Sequence, residues 1–248
     1  MSAMARDLSR SLDRTQLMRE AGMVPDDWQR RVLGSDAARM LLLCSRQAGK
    51  STTCGALAIN QALFDPGLVL LIAPAQRQSA ELFRKVLNMY HVLDGMPRVV
   101  QESTLKLELA NGSRIVALPG TEGTIRGYSS AKLVIVDEAS RVENELFAAV
   151  RPMLATTKGR FIALTTPYGK RGWFYESWEH GEGWERTLVT AHDCPRIDPL
   201  WLEEERALIG EWQFRQEYEC QFVDTDEQFF SSALIEAALS NEVMPLWK

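Results

Sequence analysis

The 248-residue sequence has no long apolar stretch. No run approaches the about 18 apolar residues that a transmembrane helix needs, so no membrane contact is expected. The first twenty residues mix arginine with aspartate and lack the apolar segment of a secretory signal. With 46% hydrophobic and 25% charged residues, the composition is that of an ordinary globular protein. We therefore expect one large domain, or one domain with a small appendage.

Cysteine is sparse and is not arranged for a metal or a disulfide framework. The four cysteines form no Cys-x-x-Cys pair and no metal-ligand spacing; they are Cys44, Cys54, Cys194 and Cys220. Reduced thiols in a cytosolic compartment are the simplest interpretation.

Acidic residues are missing from one part of the chain and concentrated in another. Residues 176–248 hold 17 acidic and 5 basic side chains, and residues 1–175 hold 16 acidic and 23 basic ones. Between residues 146 and 175 every charged residue is basic: Arg151, Lys158, Arg160, Lys170 and Arg171. A basic body with an acidic end fits a nucleic-acid contact made by the body. Solvated basic residues without a partner are an equally good interpretation.

The most informative segment is Ser-Arg-Gln-Ala-Gly-Lys-Ser-Thr at residues 45–52. It lies between an apolar run at 40–43, which predicts a short strand, and a predicted helix at 53–64. This order is the context of a phosphate-binding P-loop, whose backbone N–H groups and helix N-terminus bind a triphosphate. Lys50 would reach the β- and γ-phosphates, and the Ser51 hydroxyl would be a ligand of Mg²⁺.

One glycine of the usual P-loop pattern is absent. The first glycine of Gly-x-x-x-x-Gly-Lys-Ser falls on Cys44, so the strict pattern is not met. A chance Gly-Lys-Ser at the start of a helix is the alternative, and the remainder of the chain must decide between them.

A second strand ends in paired carboxylates. Apolar residues at 133–136 are followed directly by Asp137 and Glu138. In an ATPase, Asp137 would hold the Mg²⁺ shell and Glu138 would take a proton from, or orient, the attacking water. Such a pair can also cap a helix, but the upstream Gly-Lys-Ser favours catalysis.

Two further positions are candidates for nucleotide contacts. A strand predicted at 160–164 ends in Thr165 and Thr166, whose hydroxyls could sense the γ-phosphate, although a plain strand end before a proline turn is the alternative. Gln29, near the start of a predicted helix, has an amide that could both donate to and accept from an adenine edge. A surface glutamine without a role is its alternative.

The apolar pattern predicts a mainly parallel sheet covered by helices on both faces, a three-layer α/β/α architecture. The run at 68–73 is continuously apolar, as in a strand buried on both faces. Residues 98–118 alternate around Asn111-Gly112, which predicts an added antiparallel hairpin. We expect an N-terminal helix or arm at 1–22, the core at 23–195, a helical lid subdomain at 196–240 and a linker at 241–248.

Together these motifs resemble the ATPase domain of viral large terminases, the DNA-packaging motors of tailed bacteriophages. The resemblance runs from about Trp28 to Phe222. Its most specific part is the loop at 45–51, because that family replaces the first P-loop glycine and places an arginine early in the loop. Three further stretches carry the resemblance: residues 124–139, 165–167 and 214–222.

The resemblance implies an ASCE-type P-loop fold that uses ATP and Mg²⁺. Arg46 would contact the γ-phosphate and change position during the cycle, and Gln29 would read adenine. Arg126 matches the position from which some members send an arginine finger into a neighbouring subunit, although a phosphate-binding role in its own subunit, or a structural role, is nearly as well supported. The loop residues that would bind ATP are Ser45, Arg46, Gln47, Ala48, Gly49, Lys50, Ser51 and Thr52.

The function implied is ATP hydrolysis that drives double-stranded viral DNA into a procapsid. Implied partners are double-stranded DNA, the portal protein, the small terminase subunit and further copies in a ring, pentameric on the portal, with a monomer in isolation. The implied location is the host cytoplasm and, transiently, the portal vertex. Members carry a further RNase H-like nuclease domain, and no nuclease activity is expected from this segment. A helicase-like or remodelling ATPase and an ATP-dependent assembly switch are the alternatives.

Overall fold

The computed structural model describes residues 2–120, 122–125 and 127–223. The helices are α1 Ala3–Leu12, α2 Gln16–Glu20, α3 Asp27–Gly34, α4 Lys50–Phe64, α5 Gln76–Val92, α6 Glu122–Ile125, α7 Asn144–Ala155, α8 Gly172–Glu179, α9 Pro199–Ile209 and α10 Glu211–Glu217. The strands are β1 Arg39–Cys44, β2 Leu68–Ala73, β3 Val99–Glu102, β4 Lys106–Leu109, β5 Arg114–Pro119, β6 Ala131–Asp137, β7 Arg160–Thr165 and β8 Glu185–Val189. None of these helices is long and apolar enough to cross a membrane.

One sheet organises the chain, with strand order β3-β4-β5-β2-β6-β7-β1-β8. The pairs from β5 to β8 are parallel, and β4 pairs antiparallel with both β3 and β5. The predicted parallel sheet and its added hairpin are therefore confirmed. Because β7 lies between β1 and β6, the P-loop strand and the strand with the paired acids are separated by one strand, which is the ASCE arrangement.

The two faces of the sheet explain the continuous apolar runs. Along β6, Leu133 and Ile135 belong to a core that also contains α4 and α5 side chains. Val134 and Val136 belong to the opposite core, formed with α7 and α8. Since successive strand residues point to opposite faces, a strand covered on both faces must be apolar at every position. The expected three layers are present.

The N-terminal residues form two helices that pack on the core, where one helix or an arm was expected. The Arg10 side chain is only 1% exposed. It donates to the Glu20 carboxylate and to the carbonyl of Asp94. This buried pairing fixes α1 to the end of α5.

Helix boundaries were the weakest part of the prediction. Helix α4 begins at Lys50, earlier than the expected residue 53, because its first turn is polar and lacks the apolar pattern that marks the rest of the helix. Helix α7 was not predicted, and it carries Pro152 internally. Residues 224–240 of the expected lid subdomain and the linker at 241–248 lie outside the described residues.

Candidate nucleotide-binding site

The P-loop is a tight turn between β1 and α4. Gln47 and Gly49 have positive φ values of 60° and 95°, a conformation that glycine adopts with little strain and other residues rarely adopt. The turn leaves the N-terminus of the 15-residue α4 directed at the loop. Backbone N–H groups and the positive end of a helix form an anion site there.

Gly49 is required by its neighbours as well as by its backbone. A Cβ at this position would lie 2.9 Å from Nε2 of Gln29. We expect Gly49→Ala to lower the free energy of unfolding without nucleotide by about 1–3 kcal/mol, the usual cost of a strained backbone position. Chemical denaturation would measure it.

Gly112→Ala is the matched control for this prediction. Gly112 also has a positive φ, 88°, but an added Cβ would meet nothing within 4 Å. Gly49→Ala is therefore expected to lower the free energy of unfolding more than Gly112→Ala does, because of the contact with Gln29. Equal decreases would show that only backbone strain matters.

The loop lines a pocket of about 580 Å³ together with groups from neighbouring strand ends. Its lining residues are Arg46, Gln47, Ala48, Gly49, Lys50, Ser51, Thr52, Gln78, Lys85, Glu138, Arg141 and Thr166. The volume is in the range of small-molecule sites. Thus the structure brings the loop, Glu138 and Thr166 together, as the sequence predicted.

Lys50 and Cys44 show how the altered loop is accommodated. Nζ of Lys50 donates to the carbonyl of Ser45 at 3.1 Å and lies 3.4 Å from that of Cys44. The Cys44 side chain is fully buried in the core beneath the loop. Burial raises the pKa of this thiol to about 12, so it is a neutral packing group in the position of the missing glycine.

Asp137 and Glu138 stand at the end of β6. Burial and the neighbouring Glu138 carboxylate raise the pKa of Asp137 from 3.8 to about 6, and Lys50 opposes this shift. The Asp137 carboxylate accepts the N–H of Glu138 at 3.0 Å. Glu138 itself has a left-handed backbone with φ 51°, a strained conformation of the kind found at functional sites.

The donor set fits Mg²⁺ only with help from a ligand. The Ser51 hydroxyl and the Asp137 carboxylate are hard oxygen donors, which Mg²⁺ prefers. Among the described residues no group of three or more His, Cys, Asp or Glu side chains could hold a metal ion. A cation here would therefore need phosphate oxygens and water as its other ligands.

The end of β7 links these two regions. Oγ1 of Thr165 accepts the N–H of Ser140 at 3.3 Å and donates to the carbonyl of Thr166 at 2.6 Å. Ser140 belongs to the 3-10 helix Ala139–Arg141, which follows Glu138 directly. The predicted coupling residues therefore contact the segment that follows Glu138 through one buried hydroxyl.

Arg46 is engaged by the C-terminal helices. Its Nε donates to Oε2 of Glu217 at 2.7 Å, and its backbone N–H donates to the Glu217 carbonyl at 3.0 Å. Glu217 is 5% exposed and ends α10. A γ-phosphate that binds Arg46, as predicted, would therefore compete with Glu217 for this guanidinium.

Gln29 is likewise engaged within the protein. Its Oε1 accepts the N–H of Asp26 at 2.9 Å, and its Nε2 donates to Oγ1 of Thr53 at 3.1 Å. Arg196 bonds both the Asp26 carboxylate and the carbonyl of Ala48. Adenine recognition by Gln29 stays a prediction, and it would need an exchange of these bonds.

The basic tract does not form a single surface. Arg160 begins β7, and its guanidinium donates to the carbonyls of Ala37 and Ser35 at 3.1 and 2.9 Å. Arg151 and Lys158 line a groove near this same end of β7. Lys170 and Arg171 follow the opposite end of the strand, where Arg171 lies 5.5 Å from the Tyr168 ring centroid. DNA binding by all five would need two separate surfaces and stays a prediction.

Arg126 lies outside the described residues, so its role as an arginine finger stays a prediction. Three lining residues were not predicted from the sequence: Gln78, Lys85 and Arg141. The signals existed: Gln78 and Lys85 are seven residues apart on α5, hence on one helix face, and Arg141 follows Glu138 by three positions.

A family comparison agrees with the motifs. The family model described as "Terminase large subunit, T4likevirus-type, N-terminal" matches residues 41–237. A large terminase subunit of Thermus virus P23-45 is 27% identical over 248 residues, covering 85% of this chain and 51% of that protein. The chain thus spans about half the length of this curated relative.

Solved structures share the fold. The large terminase ATPase domain of Thermus phage P74-26 superposes with a TM-score of 0.73 at 24% identity, covering 84% of this chain and 97% of that one. The large terminase of a thermophilic bacteriophage in complex with ADP has a TM-score of 0.65 at 13% identity, covering 80% of this chain and 54% of that one.

Proposed function

Because the chain belongs to the terminase large subunit family, we propose that it hydrolyses ATP with Mg²⁺ and that hydrolysis drives double-stranded DNA into a procapsid. The observation that carries this proposal is the convergence of the P-loop, Glu138 and Thr166 on one pocket. A relative's structure with bound ADP supports nucleotide binding by this fold.

Four residues of the site have separate roles in the proposed hydrolysis of ATP: Lys50, Ser51, Asp137 and Glu138. Lys50 exchanges its bonds with the carbonyls of residues 44 and 45 for bonds to the β- and γ-phosphates. Ser51 and Asp137 would hold Mg²⁺, which neutralises charge on the phosphates. Glu138 orients the attacking water and accepts its proton, and the terminal phosphoryl group passes to that water.

Arg46 is the residue that would connect the nucleotide to the C-terminal helices. In the structure its guanidinium is paired with Glu217. A γ-phosphate carries more negative charge than one carboxylate, so ATP would compete for this arginine. Loss of the pair would then loosen α10 from the P-loop, so that ATP binding would change the position of this helix.

We expect Glu217→Gln to lower the KM for ATP about 2- to 5-fold, because the substitution removes the carboxylate charge that competes with ATP for Arg46. Steady-state turnover against ATP concentration measures this. Glu219→Gln is the control, since Glu219 is two residues away but pairs with Arg206. An unchanged or raised KM in Glu217→Gln, with an unchanged melting temperature, would show that Glu217 does not compete with ATP.

DNA contacts of a packaging motor should be phosphate contacts without base specificity. We propose that the portal protein, the small terminase subunit and further copies of the chain complete the motor at the portal vertex in the host cytoplasm. Arg126 would act across the contact between copies, so turnover should rise with protein concentration. A monomer with a high, concentration-independent rate would contradict that role.

The alternatives give different results in simple assays. A helicase-like ATPase would separate DNA strands, whereas a packaging motor would not. An assembly switch would bind ATP but would depend little on Glu138 for turnover. Stimulation of hydrolysis by duplex DNA without strand separation therefore favours the packaging motor.

A further inference from the structure

Arg141 occupies a position in the pocket that the proposed mechanism does not use. It ends the 3-10 helix that follows Glu138 and lines the same pocket as Lys50 and Thr166. Its guanidinium carbon lies 4.0 Å from the centroid of the Tyr168 ring. Its Nε lies 4.0 Å from Oε2 of Glu138.

The donors of this guanidinium are unused by the described part of the chain. No hydrogen bond from the Arg141 side chain is formed there, and 4.0 Å to Glu138 is an ionic contact rather than a hydrogen bond. Stacking over a ring holds the plane of a guanidinium and leaves its N–H groups directed outward in that plane. Among the described residues, Arg141 is therefore a positioned cation whose donors have no hydrogen-bond partner, and it lies in the same pocket as the P-loop.

The two other arginines at the loop contrast with Arg141. Arg46 is bonded to Glu217, and Arg196 is bonded to Asp26 and to the carbonyl of Ala48. Both of these guanidinium groups are therefore already partly engaged by the protein. Arg141 needs to give up only a long ionic contact.

Arg141 is also tied to the end of β7 at two points. Tyr168, on which it stacks, follows Thr165, Thr166 and Pro167 in the chain. The neighbouring Ser140 donates its N–H to Thr165. A movement of Arg141 toward a phosphate would therefore act on both ends of residues 165–168.

We propose that Arg141 donates hydrogen bonds to the γ-phosphate of ATP and that its stack on Tyr168 transmits γ-phosphate occupancy to residues 165–168. The proposal rests on the proposed ATPase function and names one more residue of the same site. Attraction of Arg141 to the phosphate would also weaken its ionic contact with Glu138, leaving that carboxylate to the attacking water. Arg141 would act within its own subunit, independently of any arginine from a neighbour.

The test compares nucleotides with and without a γ-phosphate. Calorimetric titration would give Kd values for MgADP and for the Mg²⁺ complex of a non-hydrolysable ATP analogue. Arg141→Gln should raise the Kd of the analogue about 10- to 100-fold, the range expected for a lost charge-assisted hydrogen bond. It should raise the Kd of ADP less than about 2-fold. Arg84→Gln is the matched control, because Arg84 pairs with Glu81 on the exposed surface of α5.

Tyr168 provides an independent readout. Tyr168→Phe keeps the ring and should keep the preference for the analogue over ADP, whereas Tyr168→Leu should reduce that preference several-fold. A preference unchanged in Arg141→Gln, or an equal loss for both nucleotides, overturns the proposal while leaving the ATPase function intact. A wild-type protein that binds neither nucleotide would overturn both.

Discussion

Replacing Glu138 with glutamine is expected to lower kcat for ATP hydrolysis by about 10²- to 10⁴-fold, the usual contribution of a general base. The amide keeps the size of the side chain but cannot accept a proton from the attacking water. Binding of ATP should persist, because the P-loop groups that bind the phosphates are unaltered. Single-turnover hydrolysis and nucleotide titration on the same preparation would separate these effects.

Glu143→Gln is the control for this result. Glu143 lies five residues further along, is exposed, and makes no side-chain cap bond to α7. Its replacement removes the same charge from the same segment without touching the pocket. Turnover in Glu138→Gln close to that of the control would favour the assembly switch over the hydrolytic motor.

Replacing Lys50 with methionine is expected to weaken ATP binding by about 10²- to 10⁴-fold. The lysine would form charge-assisted bonds to two phosphates, each about 1.5–3 kcal/mol, and one factor of ten corresponds to about 1.4 kcal/mol. Methionine keeps most of the apolar stem, so packing beneath the loop is retained. Calorimetric titration with MgATP would measure the loss.

Lys106→Met tests whether loss of any lysine has this effect. Lys106 lies on β4 and pairs with Glu108, away from the loop. Retained ATP affinity in Lys50→Met, with the control unchanged, would mean that Gly-Lys-Ser is only a helix start and would remove the basis of the proposed function.

The sheet and the position of the site were predictable because local rules determine them. Residues 68–73 are apolar at every position, which is characteristic of a strand covered on both faces, and β2 has those bounds. Asn111-Gly112 marked the hairpin between β4 and β5. Functional groups at the ends of parallel strands converge on one edge of the sheet, so Glu138 and Thr166 could be placed beside the P-loop.

The partners of individual side chains were not predictable, because they are distant in sequence. Arg46 and Glu217 are 171 positions apart, and only the folded chain brings them together. Arg160 is charged and lies in a basic tract, yet it bonds main-chain carbonyls 123 and 125 positions away. Composition describes such residues as available charges, whereas the fold uses Arg160 to hold two chain segments together.

The position of β7 between β1 and β6 sets a working distance for the site. Neighbouring strands are about 4.8 Å apart, so the P-loop strand and the strand bearing Glu138 are separated by about 9.6 Å. The interposed strand β7 sets this spacing, and its end places Thr166 in the same pocket as the P-loop and Glu138. A hydroxyl-bearing side chain therefore lies between the two strands that supply the predicted phosphate-binding and water-orienting groups.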